Sequence, residues 1–598
     1  MMKSGAIRMR ENIMESRLVL GIAVGICAAG IAESAEQKSI ATKPNILFIA
    51  VDDLRPAMAC YGDQLALTPN MDRLAKRSVQ FNNAYCQVAV CNPSRASLMT
   101  GLRPDKLGVW TLPIHFREAK PDAVTIPQWF REFGYTAVSH GKIYHNPTPD
   151  PQSWSEPIRA LPPLPYPYPE GTRKLIRKAK GELPAKDWRK KDLRALSTAS
   201  PDLPDEKLLD GARTQMAIED MRRLGKTEDP FFLAMGFIRP HLAWIAPQKY
   251  WDLYDPADFP VLNDEKITPN TPPYALHNNS ELTHYVDLIN LPRPWDEESV
   301  AEEKARKLMH GYYACVSYVD AQIGLLLDAL EKEGLADNTI IVLWSDHGWK
   351  LGEYRGWGKM TNYEIDARVP LLISAPSMKT GGQQSDQVVE LLDLYPSLCE
   401  LAGIETPDFL DGRSLVPILK DVKQEVHRGA VNQYYRKWDG REYMGYSIRS
   451  REYRLVEWRD FTTGEVTARE LFDHRSEHSE KENIVDSAAD GVVEKLTTEL
   501  LKTHPRKGLS LLPAIHSKPS KDGAKAKTTF VNQSQTEMEI YSISTSGRRG
   551  GKSKRLQPSE KFTFNSRVGI VFVVESADGK THQIHSSSLP DRVVKLKE

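Results

Sequence analysis

The sequence is poor in cysteine, with six in 598 residues. This scarcity excludes a small disulfide-dense scaffold. Cys27 lies in an N-terminal apolar run, and without it an odd number remains: Cys60, Cys86, Cys91, Cys315 and Cys399. An odd number of cysteines in an exported chain implies at least one unpaired or modified thiol.

Net charge is also absent, because 79 basic residues balance 79 acidic residues. Bulk electrostatics therefore indicates no nucleic-acid partner and no membrane-surface partner. No second apolar span follows the N-terminal run, so we expect no stable membrane span in the mature protein. The apolar fraction of 40% and the charged fraction of 26% are typical of a soluble globular chain.

The N-terminus has the pattern of an export signal. Arg17 precedes an uncharged run at 18–32 that is about as long as the apolar part of a signal peptide. Small residues around Ala32 and Ala35 offer cleavage sites. We predict a signal peptide over 1–35 and a secreted or periplasmic protein, with an uncleaved anchor as the alternative.

Short apolar runs alternate with helical patterns over the first 400 residues. The runs predict buried strands at 45–51, 135–139, 230–238, 339–344 and 369–375, and helical patterns start at 69, 303 and 393. This alternation predicts an α/β fold with a mostly parallel sheet flanked by helices. Two segments between these patterns are interpreted as insertions rather than as a domain: 147–171, which is rich in proline and tyrosine, and 172–194, which is basic and has a helical pattern. Another long stretch, at about 255–298, is irregular.

The pattern changes after residue 430. Short strands and turns there predict a smaller antiparallel sheet. A segment rich in lysine, proline, serine and glycine at 502–527 has the composition of a linker. Alternating apolar and polar residues beyond it predict a small appended β-sandwich over 528–598.

Ionisable side chains follow the predicted strands at the points where the strands end. They are Asp52, Asp53, Lys142, His145, His241, Asp346 and His347. Taken singly, an Asp-Asp pair is often only a turn, and a lone histidine is usually a surface or core residue. Because the carboxyl ends of the strands form one ligand-binding edge in an α/β sheet, the joint pattern predicts a functional site.

The chemistry of these groups suits an oxyanion substrate. Three carboxylates and one histidine favour Ca²⁺ or Mg²⁺ over zinc: Asp52, Asp53, Asp346 and His347. Cationic or basic groups accompany them: Arg95, Lys142, His145, His241 and Lys359. A metal and lysines stabilise the non-bridging oxygens of a sulfate or phosphate ester, and a histidine can protonate the leaving group.

The segment CNPSRASLMTG, residues 91–101, has the pattern of a helix. Pro93 suits the first turn, where a missing N–H costs nothing, and Gly101 suits the position just past the end. Cys91 at such a helix start has three ordinary explanations: a buried structural cysteine, half of a disulfide, or a low-pKa nucleophile. These residues alone leave all three open.

The same segment matches the signature of the sulfatase family, in which Cys-x-Pro-Ser-Arg directs oxidation of the cysteine to formylglycine. The blocks DDLRPAMACYGD, GKIYH, RPHLAW, WSDHGWKLGEYRGWGK and MGYSIR are similar to those of the iduronate-2-sulfatase group of that family. The resemblance covers residues 45–485. It implies an alkaline-phosphatase-like catalytic domain over 44–425 and a smaller C-terminal α+β subdomain over 426–501.

The resemblance also implies residue roles. The Ca²⁺ ligands would be Asp52, Asp53, Asp346, His347 and residue 91, and family active-site positions fall on Arg95, Lys142, His145, His241 and Lys359. Formylglycine derived from Cys91, as its hydrate, would attack sulfur. His241 or Lys359 would protonate the leaving alcohol, and His145 would assist the release of sulfate. The implied partners are a sulfated saccharide substrate and a formylglycine-generating maturation enzyme.

One position departs from the animal iduronate-2-sulfatases, where a tyrosine follows the lysine matched by Lys359. Met360 stands there, at a position that borders the substrate, so the sugar preference stays open while sulfate-ester hydrolysis is expected. Two alternatives remain. One is a phosphoesterase of the same superfamily, and the other is a non-catalytic protein that binds sulfated glycans.

The C-terminal segment, about 528–590, resembles the β domain of the von Hippel–Lindau protein. The serine that binds hydroxyproline in that family matches Ser566. Ile570 and Phe572 replace the histidine and the tryptophan of the family, so hydroxyproline binding is weakened. A module that stabilises the chain or attaches it to a surface is the alternative.

Overall fold

The computed structural model describes residues 43–596, except for 147, 263–266, 377, 476–479, 489–490, 510–524, 544–548, 568–570, 577–580 and 587–591. The predicted signal peptide at 1–35 lies outside the described residues. The chain divides into Met1–Lys43 and one compact unit, Pro44–Glu598. All statements below concern this second unit.

A mixed eight-stranded sheet forms the centre of the fold. Its strands are β1 Asn45–Val51, β2 Val79–Tyr85, β3 Thr136–Gly141, β4 Phe231–Phe237, β5 Thr339–Ser345, β6 Arg368–Val369, β7 Leu371–Ser374 and β8 Gln384–Glu390. The spatial order is β6-β2-β7-β5-β1-β4-β3, and β8 pairs with β2. Strands β5, β1, β4 and β3 run parallel, whereas β7 is antiparallel to β5 and to β2. The predicted α/β fold is confirmed.

Strand β1 lies in the middle of this sheet and is buried on both faces. Leu47, Ile49 and Val51 contribute to the apolar core on one side, and Ile46 and Phe48 contribute to the core on the other. Alternate side chains of a strand point to opposite faces, so a continuous apolar run fits a sheet covered twice.

The parallel strands end in register. Val51 lies beside Phe237 on one side and Ser345 on the other, and Gly141 lies beside Gly236. The residues that follow these strands therefore emerge at one edge of the sheet. This is the edge that the sequence predicted for the ionisable residues.

Helices cover both faces. The helices of seven residues or more are Pro69–Ala75, Cys91–Thr100, Ile126–Glu132, Thr172–Glu182, Leu209–Leu224, Glu302–Lys332, Leu394–Leu401 and Val492–Thr503, and shorter ones include Glu364–Ala367. By length and composition alone Glu302–Lys332 could cross a membrane, but 83% of its most apolar stretch is buried in the protein. It packs on the central sheet as a core helix.

The C-terminal part contains smaller sheets. Four antiparallel strands follow the central sheet in the chain: Ala430–Trp438, Arg441–Arg449, Tyr453–Asp460 and Val466–Asp473. Seven further strands between Lys525 and Leu596 form one sheet of three strands and one of four. The last helix ends at Thr503 and the next strand starts at Lys525, so regular structure overlaps both ends of the predicted linker.

Candidate active site

Four ligand-type residues meet just past β1 and β5. Asp52 and Asp53 follow β1, and Asp346 and His347 follow β5; all four are fully buried. One potential ligand atom from each of Asp52, Cys91, Asp346 and His347 lies within 4.8 Å of the others. The same holds for Asp52, Asp53, Cys91 and His241. The structure thus brings together the predicted metal residues in two overlapping groups.

Arg95 pairs with two of the carboxylates at this edge of the sheet. Its guanidinium is fully buried, with Nε 2.8 Å from Asp346 Oδ2 and one terminal nitrogen 3.2 Å from Asp52 Oδ1. It also donates to the carbonyl oxygen of Ile143 at 3.1 Å. These contacts hold the carboxylates of Asp52 and Asp346 in fixed orientations. Removing Arg95 would leave both buried negative charges without this partner.

Cys91 is the first residue of the Cys91–Thr100 helix and is only 2% exposed. Its Sγ lies 3.3 Å from His347 Nε2, 3.5 Å from Lys359 Nζ and 3.6 Å from Lys142 Nζ. The backbone N–H groups of the first turn add a partial positive charge at this point. An anion held by residue 91 would therefore be surrounded by positive charge.

The surroundings of Cys91 decide between its ordinary explanations. It forms no disulfide, and the other cysteines of the described chain are also free thiols. Burial and the nearby Asp52 carboxylate raise the pKa of the Cys91 thiol. The unmodified residue is thus not half of a disulfide, and its burial disfavours the thiolate form.

Lys142 follows β3 at a point where the backbones of β3 and β4 approach closely, at Gly141 and Gly236. Gly141 ends β3 with a φ of 75°, and a Cβ on Gly236 of β4 would lie 2.2 Å from the carbonyl oxygen of Lys142. The ammonium group of Lys142 pairs with Asp52. Burial alone would raise the pKa of Asp52, but Lys142, His241 and Arg95 together hold it well below its usual range.

The two histidines of the predicted site differ in charge. His241 Nδ1 lies 2.6 Å from the carbonyl oxygen of Leu242, and Nε2 lies 3.1 Å from Glu281 Oε1. Burial alone would lower the pKa of His241, but the nearby carboxylates raise it to about 10. Burial and the neighbouring Lys142 charge lower the pKa of His145 well below its usual value. The surroundings thus favour the charged form of His241 and disfavour the charged form of His145.

The sequence did not reveal Glu281. Its carboxylate contacts both His241 and Lys359, with Oε2 3.5 Å from Lys359 Nζ. It lies in the irregular stretch 255–298, which has no periodic pattern. Nothing in the linear sequence marks it, because its proximity to the site is set by tertiary contacts.

A divalent cation fits this arrangement. Asp53 Oδ2 is buried without a hydrogen-bond partner, while Asp53 Oδ1 accepts from Lys359 Nζ at 2.6 Å. The donor set consists of carboxylate oxygens with one imidazole, which suits Ca²⁺ or Mg²⁺. A buried carboxylate oxygen without a partner, on a residue grouped with other ligand-type side chains, is the arrangement that an ion would complete.

The sheet order and the ligand-bearing edge define an α/β protein with the alkaline-phosphatase-like fold. Solved structures show the same fold. A phosphonate monoester hydrolase from Silicibacter pomeroyi has a TM-score of 0.60 at 22% identity over 79% of this chain and 97% of its own. A protein solved in complex with D-glucosamine-2-N,6-O-disulfate as its substrate has a TM-score of 0.56 at 22% identity, over 78% of this chain and 99% of its own.

Sequence comparison is more specific than the fold. Residues 44–404 match the Sulfatase family, and residues 352–506 match the C-terminal region of N-sulphoglucosamine sulphohydrolase. Iduronate 2-sulfatase of Homo sapiens is 32% identical over 519 residues, which cover 75% of this chain and 91% of that protein. The chain belongs to the sulfatase family, a family of sulfuric ester hydrolases, and has iduronate-2-sulfatase-like relatives.

Proposed function

We propose that this protein is an exported sulfatase that hydrolyses sulfate esters of carbohydrates, with a 2-O-sulfated uronic acid as the substrate. The observation that carries the proposal is the position of Cys91. It stands at a helix N-terminus, in contact with Lys142, Lys359 and His347. The similarity to iduronate 2-sulfatase supports the choice of sugar.

The cofactor part of the proposal has two components. Asp52, Asp53, Asp346, His347 and residue 91 would hold Ca²⁺, and Cys91 would be converted to formylglycine by a maturation enzyme. When bound, these two groups supply Lewis acidity and a hydrated aldehyde as the nucleophile. The Cys-x-Pro-Ser-Arg pattern and the unpartnered Asp53 oxygen support them.

The chain itself would bind the sulfate group and move protons. Lys142 and Lys359 face the sulfur atom of Cys91 and would neutralise charge on the non-bridging sulfate oxygens. His241, as a cation, would give a proton to the departing alcohol. His145 is neutral, so it would accept a proton when sulfate is released.

The domain limits are part of the proposal. We propose a catalytic domain over 44–425, a C-terminal subdomain over 426–501 and an appended β domain over 528–598. The strands between Lys525 and Leu596 support the last of these. Its resemblance to the von Hippel–Lindau β domain stays a prediction, since Ile570 lies outside the described residues and the side chains of Ser566 and Phe572 are not described.

The test is a panel of defined sulfated saccharides offered to the purified full-length protein. We expect release of sulfate from a terminal uronic acid 2-sulfate, and none with Cys91→Ala. Phenyl phosphate and phenyl phosphonate test the phosphoesterase alternative. Activity confined to aryl sulfates would reject the sugar assignment, and saccharide binding without turnover would favour the glycan-binding alternative.

A further inference from the structure

Glu281 connects two cationic groups of the site. Its Oε1 lies 3.1 Å from His241 Nε2 and its Oε2 lies 3.5 Å from Lys359 Nζ. The side chain of Glu281 is 16% exposed and that of Lys359 is 2% exposed. Charge pairs screened so little by water hold their geometry more firmly than surface pairs do.

The segment that carries Glu281 is attached to the strand that leads to Lys359. Asn279 Oδ1 accepts a hydrogen bond from the backbone N–H of Trp357 at 2.8 Å, and Asn279 Nδ2 donates to the carbonyl oxygen of Pro292 at 3.0 Å. Asn279 is 1% exposed and has a φ of 58°, which asparagine tolerates better than most residues. This anchor lies two residues from Glu281 on one side and two residues from Lys359 on the other.

Two basic side chains, His241 and Lys359, lie close to residue 91. His241 belongs with Cys91 to one group of ligand atoms, and Lys359 Nζ lies 3.5 Å from Cys91 Sγ. A carboxylate in contact with both side chains limits their rotation. Lys359 has a second carboxylate partner in Asp53, whereas Glu281 supplies the carboxylate contact of His241 Nε2.

We propose that Glu281 is a positioning residue, which holds His241 and Lys359 in the orientation that delivers a proton to the departing alcohol. The inference rests on the proposed function and adds a residue to it. Proton transfer matters most when the leaving group is a poor one, because a sugar alkoxide is far more basic than a nitrophenolate. The role of Glu281 should therefore be visible in the dependence of turnover on the leaving group.

The experiment compares aryl sulfates that differ in leaving-group acidity, from para-nitrophenyl to para-methoxyphenyl sulfate. We expect Glu281→Ala to lower kcat by about 10- to 100-fold for the poorest leaving group, as the loss of a supporting partner typically does, and far less for para-nitrophenyl sulfate. Glu281→Gln keeps an acceptor for His241 without the charge and should be intermediate. Asn279→Gly, which tolerates the positive φ, should show a weaker form of the same pattern.

Glu390→Gln is the matched control. Glu390 is a buried carboxylate that pairs with Arg103 at 2.6 Å, away from the residues named here. Its loss should affect all aryl sulfates by the same factor. An equal loss for all leaving groups in the Glu281 variants, or no loss, would overturn the proposal.

A second readout does not depend on turnover. Crystal structures of the Glu281→Ala and Glu281→Gln proteins should show displaced His241 and Lys359 side chains. If both keep their places, with Lys359 Nζ still 3.5 Å from residue 91, Glu281 does not position them. The crystal structures would test this positioning role even if the protein hydrolysed no sulfate ester. A complete lack of sulfate-ester hydrolysis would instead reject the proposed function.

Discussion

Lys359 Nζ donates a hydrogen bond to Asp53 Oδ1 at 2.6 Å, while Asp53 Oδ2 is buried with no partner. One carboxylate therefore serves two purposes. It orients a lysine that faces residue 91, and it leaves its second oxygen available. An unsatisfied buried oxygen is costly, so a bound cation at this position would stabilise the folded protein.

The first prediction concerns this oxygen. Asp53→Ala should abolish both activity and the stabilisation by Ca²⁺, which amounts to about 2.7 kcal/mol when the ion is present at 100 times its Kd. Thermal unfolding and metal analysis, with and without prior chelation, measure the effect. The exposed Asp386→Ala is the control and should keep its metal. Full turnover after exhaustive chelation would contradict the prediction.

The second prediction concerns Cys91. Cys91→Ala and Cys91→Ser should both lose turnover where the maturation enzyme is specific for cysteine, because neither variant can be oxidised to the aldehyde. In the active protein, residue 91 should resist iodoacetamide after denaturation, since a hydrated aldehyde has no thiol. Peptide mass spectrometry gives the answer, with alkylation of Cys399 as the internal control. An active preparation alkylated quantitatively at residue 91 would reject formylglycine.

The third prediction uses the close approach of β3 and β4. A Cβ on Gly236 would lie 2.2 Å from the carbonyl oxygen of Lys142, so Gly236→Ala should displace Lys142 from Asp52. We expect a destabilisation of about 1–3 kcal/mol and a loss of turnover that exceeds the loss of folded protein. Gly181→Ala, in the Thr172–Glu182 helix with nothing within 4 Å of the new Cβ, should keep full turnover and leave the protein equally stable or slightly more stable. If Gly236→Ala and Gly181→Ala had comparable activity per folded molecule, this prediction would be wrong.

The fourth prediction concerns pH. Glu470 is fully buried and accepts from Tyr363 Oη and Trp458 Nε1, each at 2.9 Å. Burial raises its pKa from 4.5 to about 7. A raised pKa means that the protonated form stabilises the fold, so this contribution is complete below pH 4.5 and is lost as the pH rises to about 7.

Glu470→Gln imitates the protonated carboxyl group at every pH. The free energy of unfolding, measured by urea titration between pH 4.5 and 7, should therefore fall less steeply in this variant than in the unmodified protein. Glu228→Gln, at an exposed position, should leave the slope unchanged. Parallel pH profiles for Glu470→Gln and the unmodified protein would reject this account.

The central strands and most of the site could be predicted because they carry local patterns. Strand β1 is a continuous apolar run followed at once by Asp52 and Asp53, and β5 is followed in the same way by Asp346 and His347. Parallel strands end at one edge, so no tertiary information was needed to bring these residues together.

Other elements have no such pattern. Strand β2 was missed because Asn82 and Asn83 interrupt its apolar run. The sheet is mixed because β7, which lies between β2 and β5, runs antiparallel to both. Glu281 was missed because it reaches the site only through Asn279 and its contact with Trp357. Such contacts join distant segments and leave no periodic signal in either of them.

The position of β1 has a consequence for synthesis of the chain. Asp53 and its partner Asp346 are 293 residues apart. The second neighbour of β1 therefore leaves the ribosome tens of seconds after β1 itself, at roughly 5–20 residues per second. Both edges of β1 are unpaired until β4 is made, and one edge stays unpaired until β5 is made. An unpaired edge on a strand that is apolar on both faces is a hazard for aggregation. Translation speed and chaperone supply should thus govern the yield of this protein more than its final stability does, and chains that stop before Thr339 should accumulate as aggregates.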